Sequence, residues 1–335
     1  MKKRVIKIIL VAVVLLIVCL VIAANYMVSM SLIVDRAQFF QEDELYDNMR
    51  KDYPQTVNWL DSMQQNHLLR DTFVVSKVDG SKLHAVYAYA KKPTNKTVVL
   101  VHGYTDCTIM MLPIGYMYNN DLGFNILAMD HHAHGLSEGE AIQMGWLDRL
   151  DVLNWMKVAH DIFSTPEAEA ELVVHGVSMG AATTMCVSGE VEGKGPAAQL
   201  DWAREILPMP YVKCFVEDCG YTSVWDEFSS ELKKRYGLPS FPLMNIASWV
   251  CDFRYGWNFT EASPQKMVSL SSLPMFFIHG DVDTFVPTDM IYKVHEAKPE
   301  PKEIWLTPGV PHALSYQMFP MEYTQKVKEF TDKYM

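Results

Sequence analysis

A serine hydroxyl attacks a carbonyl carbon only when a base takes its proton, and the base works best when an acid fixes its tautomer and stabilises its charged form. The chain offers residues for all three roles. Ser178 stands in Gly176-Val177-Ser178-Met179-Gly180, between the apolar Leu172-Val173-Val174 and the small Ala181-Ala182. At a strand-to-helix turn this Gly-x-Ser-x-Gly pattern holds the serine on a strained backbone with its hydroxyl exposed, and the flanking glycines let neighbouring backbone come close. The bare pattern arises by chance roughly 0.1 times in a chain this long. The weight therefore falls on its setting between strand and helix, and on its partners.

Those partners lie downstream. Asp281 and Asp283 follow Phe277-Ile278-His279-Gly280, and His312 lies in Pro308-Gly309-Val310-Pro311-His312. Each segment succeeds an apolar run that reads as a strand. Asp283 is the expected acid, because Asp281 lies immediately at the strand end, where it serves to brace the loop. A tetrahedral intermediate also needs backbone donors already in place for its oxyanion. The expected donors are the amide of Met179, next to the serine, and the amide of Tyr104 in Val101-His102-Gly103-Tyr104. His102 is expected to brace that loop rather than to react.

Other chemistry is weaker. His131, His132 and His134 are imidazoles close in sequence, but their spacing suits neither a helix nor a strand face, and no cysteine or second histidine cluster is near; no metal is expected. Six cysteines (19, 107, 186, 214, 219 and 251) leave five in the body, with no zinc-ribbon spacing. Cys186 and Cys214 fall in apolar stretches, which favours buried free thiols over a disulfide. The formal charge of −11 argues against a nucleic-acid partner.

These residues need a scaffold. Runs at 72–78 and 83–90 flank Asp79-Gly80, a hairpin signal. Continuous apolar runs follow at 97–102, 124–130, 172–176, 212–217, 275–279 and 303–306, as expected of strands covered on both faces. Helical patterns such as Trp146 to Phe163 lie between them. The rhythm is that of an α/β protein, a mainly parallel sheet with helices on both faces, and no linker or repeat divides it. The stretch from Trp225 to Phe259 departs from the rhythm with nine aromatics in 35 residues. It reads as a helical lid over approximately 222–262, against the plainer alternative of large helices packed on the sheet.

The head of the chain differs from the body. Lys2, Lys3, Arg4 and Lys7 precede 17 uncharged residues, Ile8 to Ala24, and no acidic residue appears before Asp35. Removing those four positive charges from the total of −11 leaves −15 on the remainder. About 20 apolar residues span the ~30 Å hydrocarbon core. Residues 1–34 are therefore expected to be a signal anchor or transmembrane segment, 35–71 a helical connector and 72–335 the catalytic domain. A cleaved signal peptide is the alternative, weakened because Ile22 and Val21 stand where small residues should precede a cut at Ala23 or Ala24. A lipid-modified Cys19 is weaker still, with the large Val18 before it. The basic end is expected in the cytoplasm and the body outside.

Over roughly residues 72 to 333 the chain resembles the α/β-hydrolase superfamily, through His102-Gly103, the Asp130 to Gly139 segment, Gly176 to Gly180, His279 to Pro287 and His312. Within it the chain is similar to bacterial membrane-anchored serine hydrolases of the lysophospholipase-like and serine-aminopeptidase-like branch, notably at Met179 to Met185 and Val286-Pro287. The resemblance implies an α/β-hydrolase fold of eight strands, a lid before the acid-bearing strand, hydrolysis through an acyl-enzyme, and no cofactor. The family loop Asp-x-Arg-Gly-His-Gly-x-Ser reads here Asp130-His131-His132-Ala133-His134-Gly135-Leu136-Ser137. His132 in the arginine position puts the usual charge pairing of that loop in doubt. The expected activity is hydrolysis of carboxylic esters with an apolar or lipid-like acyl group. A small peptidase or an acyltransferase on the same triad is the enzymatic alternative, the peptidase requiring an acidic anchor for a substrate amine. An inactive envelope binding module is the alternative of another class, disfavoured because every triad position is occupied.

Overall fold

Strands rich in Val, Ile and Leu must hide both faces, and the chain does this by stacking them in one sheet. The computed structural model describes residues 2–33, 35 and 39–335. Arg70–Val75 (β1) and Lys82–Ala88 (β2) form the antiparallel hairpin expected around Asp79-Gly80. Lys96–Val101 (β3), Asn125–Met129 (β4), Glu171–Val177 (β5), Val212–Asp218 (β6), Met275–Gly280 (β7) and Lys302–Thr307 (β8) complete eight strands. Their order is β1-β2-β4-β3-β5-β6-β7-β8. Only β2 runs against the others, pairing antiparallel with both β1 and β4.

Alternation along a strand sends neighbours to opposite faces. In β3, Val99 and Val101 enter one core while Val98 and Leu100 enter the other. Of the helices, Lys2–Leu32 (α1), Glu42–Asp52 (α2) and Val57–Gln65 (α3) precede the sheet. Thr108–Tyr116 (α4), Asp148–Phe163 (α5) and Met179–Ser188 (α6) connect central strands. The first core is covered by α5 and α6, through Trp155, Met156 and Met185. The second is covered by α4, together with α2 and α3.

Both helices lie within 35–71, the expected helical connector, and they pack on the sheet. Met49, Trp59, Leu60 and Met63 are buried in the second core, and Trp59 Nε1 donates to Asn119 Oδ1 at 3.0 Å. Glu42–Asp52 is highly charged and buries only Met49, whereas Val57–Gln65 carries one charge and buries three apolar side chains. The expected break between anchor and connector, between residues 34 and 35, involves Val34, which lies outside the described residues.

Between β6 and β7 the aromatic stretch forms two helices, Val224–Tyr236 (α7) and Leu243–Tyr255 (α8). Ser223 caps α7 by accepting the Asp226 amide at 3.0 Å, and left-handed Gly237 and Gly256 end the pair. The aromatics divide: Trp257 and Phe259 are buried, whereas Phe241, Trp249 and Phe253 are exposed. Asp289–Ala297 (α9) and Pro320–Tyr334 (α10) close the fold.

Candidate active site

The turn from β5 into α6 places Ser178 at φ 58° and ψ −118°, a conformation that costs a non-glycine residue strain and lifts its side chain out of the turn. The neighbouring glycines are required by contact. A Cβ on Gly176 would lie 2.0 Å from the Gly180 carbonyl oxygen, and one on Gly180 would lie 2.0 Å from that of Val101. The loops after β7 and β8 then bring in the other two residues expected from sequence. Ser178 Oγ lies 2.8 Å from His312 Nε2, and His312 Nδ1 lies 2.6 Å from Asp283 Oδ2. A carboxylate at Nδ1 keeps the proton there, so Nε2 accepts the serine O–H.

Asp283 is itself fixed. Its Oδ1 accepts the amides of Phe285 and Val286 at 2.8 and 3.0 Å. Burial opposes its ionisation, but hydrogen bonds from His279 and His312 outweigh burial and hold its carboxyl down at about 2. Asp281 accepts the Gly309 amide at 2.6 Å, tying the β7 loop to the turn after β8. That is the bracing role expected of it.

The loop after β3 runs beside the serine: a Cβ on Gly103 would stand 3.4 Å from Ser178 Cβ. His102 Nδ1 donates to the Gly103 carbonyl at 2.7 Å, while its Nε2 accepts the His131 amide at 2.9 Å. Burial, then His131 and His134, push its pKa well down. It braces the loop, as expected. Tyr104 lines the cavity at Ser178, and Met179 opens α6, where first-turn amides have no acceptor within the helix.

In the histidine loop, His131 Nδ1 lies 3.5 Å from Asp148 Oδ1 without a hydrogen bond, while the other two histidines are bonded. His132 bonds the Ala141 carbonyl at 2.8 Å and Asp79 Oδ2 at 2.7 Å, so this position keeps a carboxylate partner although it is not arginine. His134 Nδ1 donates to the His132 carbonyl and its Nε2 accepts the Thr105 amide. Among the described residues one group has metal-ligand spacing, Cys219 with Asp283 and His312. Two of its members are already bonded to each other, and burial with the adjacent carboxylates pushes the Cys219 thiol far up. All six cysteines are free, five of them buried.

A cavity of ≈ 240 Å³ opens over Ser178, walled by Tyr104, Phe285 and the lid residues Phe228, Leu232 and Met244. Two of its features escaped sequence reasoning. One is Glu227 on α7, 4% exposed, with Oε2 lacking a hydrogen-bond partner among the described residues. Burial, then Glu231 and Asp283, push its carboxyl up to about 8. A single glutamate on a charged helix gives no sign in sequence that it faces inward. The other is α1, whose Met27, Val28 and Ser31 form part of the wall.

The sheet order, the serine at the β5–α6 elbow and the inserted helical pair define an α/β-hydrolase fold. The family model described as serine aminopeptidase, S33 matches residues 92–203. The uncharacterized protein YqkD of Bacillus subtilis is 27% identical over 263 residues, covering 78% of this chain and 79% of that one. The fold is similar to that of the Pyrococcus furiosus esterase Pf2001, with a TM-score of 0.60 at 24% identity over 81% of this chain and 95% of the esterase. It is also similar to Est1E of Butyrivibrio proteoclasticus, solved with ferulic acid bound, with a TM-score of 0.54 at 18% identity over 78% and 98% of the two chains.

Proposed function

We propose that the chain is a serine hydrolase of carboxylic esters with an apolar acyl group. Ser178 Oγ attacks the acyl carbonyl as its proton passes to His312 Nε2, and Asp283 holds the Nδ1 proton and stabilises the imidazolium. The amides of Tyr104 and Met179 receive the oxyanion. Collapse expels the alcohol, which takes the proton from His312, and leaves acyl-Ser178. Water then attacks the acyl-enzyme, His312 takes its proton, and the acid is released with Ser178 restored. The observation that carries this reading is the unbroken line Ser178–His312–Asp283 at 2.8 and 2.6 Å, opening on a cavity lined mostly by apolar side chains.

A fluorophosphonate probe should label wild-type protein at Ser178 and leave Ser178→Ala unlabelled. p-Nitrophenyl esters of graded chain length, set against aminoacyl amides, test the substrate class. A folded wild type that takes no label would refute every enzymatic reading. The second reading, hydrolysis of substrates bearing an amine, is favoured by Glu227, an inward carboxyl that a bound substrate ammonium would draw into its ionised form. Preference for the amides would establish it over the esterase.

We further propose that α1 anchors the protein in a membrane, its basic end cytoplasmic and the domain outside. Its apolar length supports the anchor, and Lys2, Lys3, Arg4 and Lys7 support the orientation. Resistance to carbonate extraction and protease access to the body from outside the cell are the expected results.

A further inference from the structure

The apolar N-terminal helix is longer than a membrane requires. At about 1.5 Å per residue, about 20 residues cross the ~30 Å hydrocarbon layer, whereas α1 has 31. Its surface divides accordingly. Residues 3–19 are exposed on every side, whereas Ala24, Val28 and Leu32, one face of the last turns, are buried against the lid and the loop at 141–146. Polar contacts fasten this end. Arg254 Nη1 donates to Asn25 Oδ1 at 3.1 Å and Ser29 Oγ at 2.7 Å, the Ile142 amide donates to the Leu32 carbonyl at 2.8 Å, and the Tyr104 hydroxyl donates to the Ser31 carbonyl at 2.8 Å. Met27 and Ser31 face the cavity over Ser178.

Arg254 ends α8, so that end of the lid lies where α1 leaves the domain. There α8 turns two large apolar residues outward at helical spacing, Trp249 at 70% and Phe253 at 92% exposure. Water is a poor solvent for such a pair, and the exposed apolar surface of α1 continues from it. A tryptophan beside the start of a membrane span suits the interface between hydrocarbon and headgroups.

We propose that the pocket is filled from the lipid bilayer: the last turns of α1 are a wall of the acyl-binding site, and Trp249 and Phe253 seat the lid in the leaflet from which an acyl chain enters. The proposal rests on the esterase and anchor readings above and adds to them the source and route of the substrate. One helix then both tethers the enzyme and shapes its site, and the ester carbonyl reaches Ser178 while its chain lies along Met27.

The test uses the full chain in phosphatidylcholine nanodiscs. An NBD fluorophore on Phe253→Cys, in a Cys19→Ser background, is expected to emit in the blue and to be quenched several-fold more by nitroxide-labelled lipid than the same fluorophore on Tyr292→Cys of α9, also exposed. Equal quenching at the two positions would overturn the seating, whatever the substrate proves to be. Met27→Trp is expected to lower the ratio of long-chain to short-chain ester kcat/KM by about tenfold. Phe253→Ser should lower the ratio of bilayer-dissolved to water-soluble ester hydrolysis. If either variant lowers both rates together or changes neither, its residue has no part in acyl delivery and the proposal fails. A wild type that hydrolyses no ester, with NBD at 253 quenched, refutes the esterase reading and leaves the seating standing.

Discussion

Two aspartates two residues apart do different work because only one reaches the imidazole. Asp283 Oδ2 meets His312 Nδ1, whereas Asp281 spends its oxygen on the Gly309 amide. Asp283→Asn presents an amide that can donate to Nδ1 and so favours the wrong tautomer; ester hydrolysis should fall by about 10³- to 10⁴-fold with phosphonate labelling slowed in step. Asp281→Asn should lower Tm while leaving the rate within about tenfold. Equal losses in the two variants would show that the acid has been misassigned. Glu227 yields a pH prediction. Its folded-state carboxyl titrates near 8 against an ordinary 4.5, so the folded protein binds the extra proton. Stability from this group is complete below the ordinary value and is lost as pH rises toward 8. Glu227→Gln removes that loss, and its Tm relative to wild type should climb between pH 5 and 8. A difference that stays flat across this range would mean that Glu227 is ionised in the folded protein.

Among the elements, α2 and α3 show how a polar segment can still be structural. Trp59→Ala leaves a cavity in the second core and strands Asn119 Oδ1, and should cost about 3–5 kcal/mol in urea unfolding. A loss under about 1 kcal/mol would mean that these helices are an appendage. At 11 and 9 residues these helices are too short for periodicity to show which surface they pack on, and sequence reading took them as a helical connector. The strands were legible for the opposite reason. A run such as Val98-Val99-Leu100-Val101 has to be covered on both sides, and all eight runs became strands with their ends within a few residues of expectation. That Ser178, Asp283 and His312 could meet was legible because the loops after parallel strands β5, β7 and β8 open at one edge of the sheet. Glu227 and the pocket face of α1 were not. Which side of a helix meets a cavity depends on how the lid is set on the sheet, and no spacing within the helix encodes that.

At the scale of the molecule, the chain divides by charge and by solvent rather than by domain. A basic tip and an apolar helix lead into a body carrying −15, yet the helix does not end where the body begins. Its last turns belong to the body, sharing one apolar cluster with Met179, Met244 and Cys251. Two truncations separate these parts. Protein starting at Ala23 keeps Ala24, Val28 and Leu32 in place, along with the partners of Arg254, Tyr104 and Ile142. Protein starting at Asp35 loses them all. Burying side chains the size of Val and Leu stabilises by about 1.5–3 kcal/mol each. The shorter protein should therefore melt roughly 10 °C below the longer one. It should also lose rate, because Tyr104 is no longer held from the α1 side, and lose preference among acyl chains, because the cavity has lost a wall. Scanning fluorimetry and the graded ester series measure all three effects. Identical melting and identical chain-length profiles would reduce α1 to a tether. The predicted difference would instead make residues 24–32 part of the enzyme even if a signal peptidase cut the chain at Ala23, so the choice between anchor and cleaved signal changes where the enzyme resides without changing how its pocket is built.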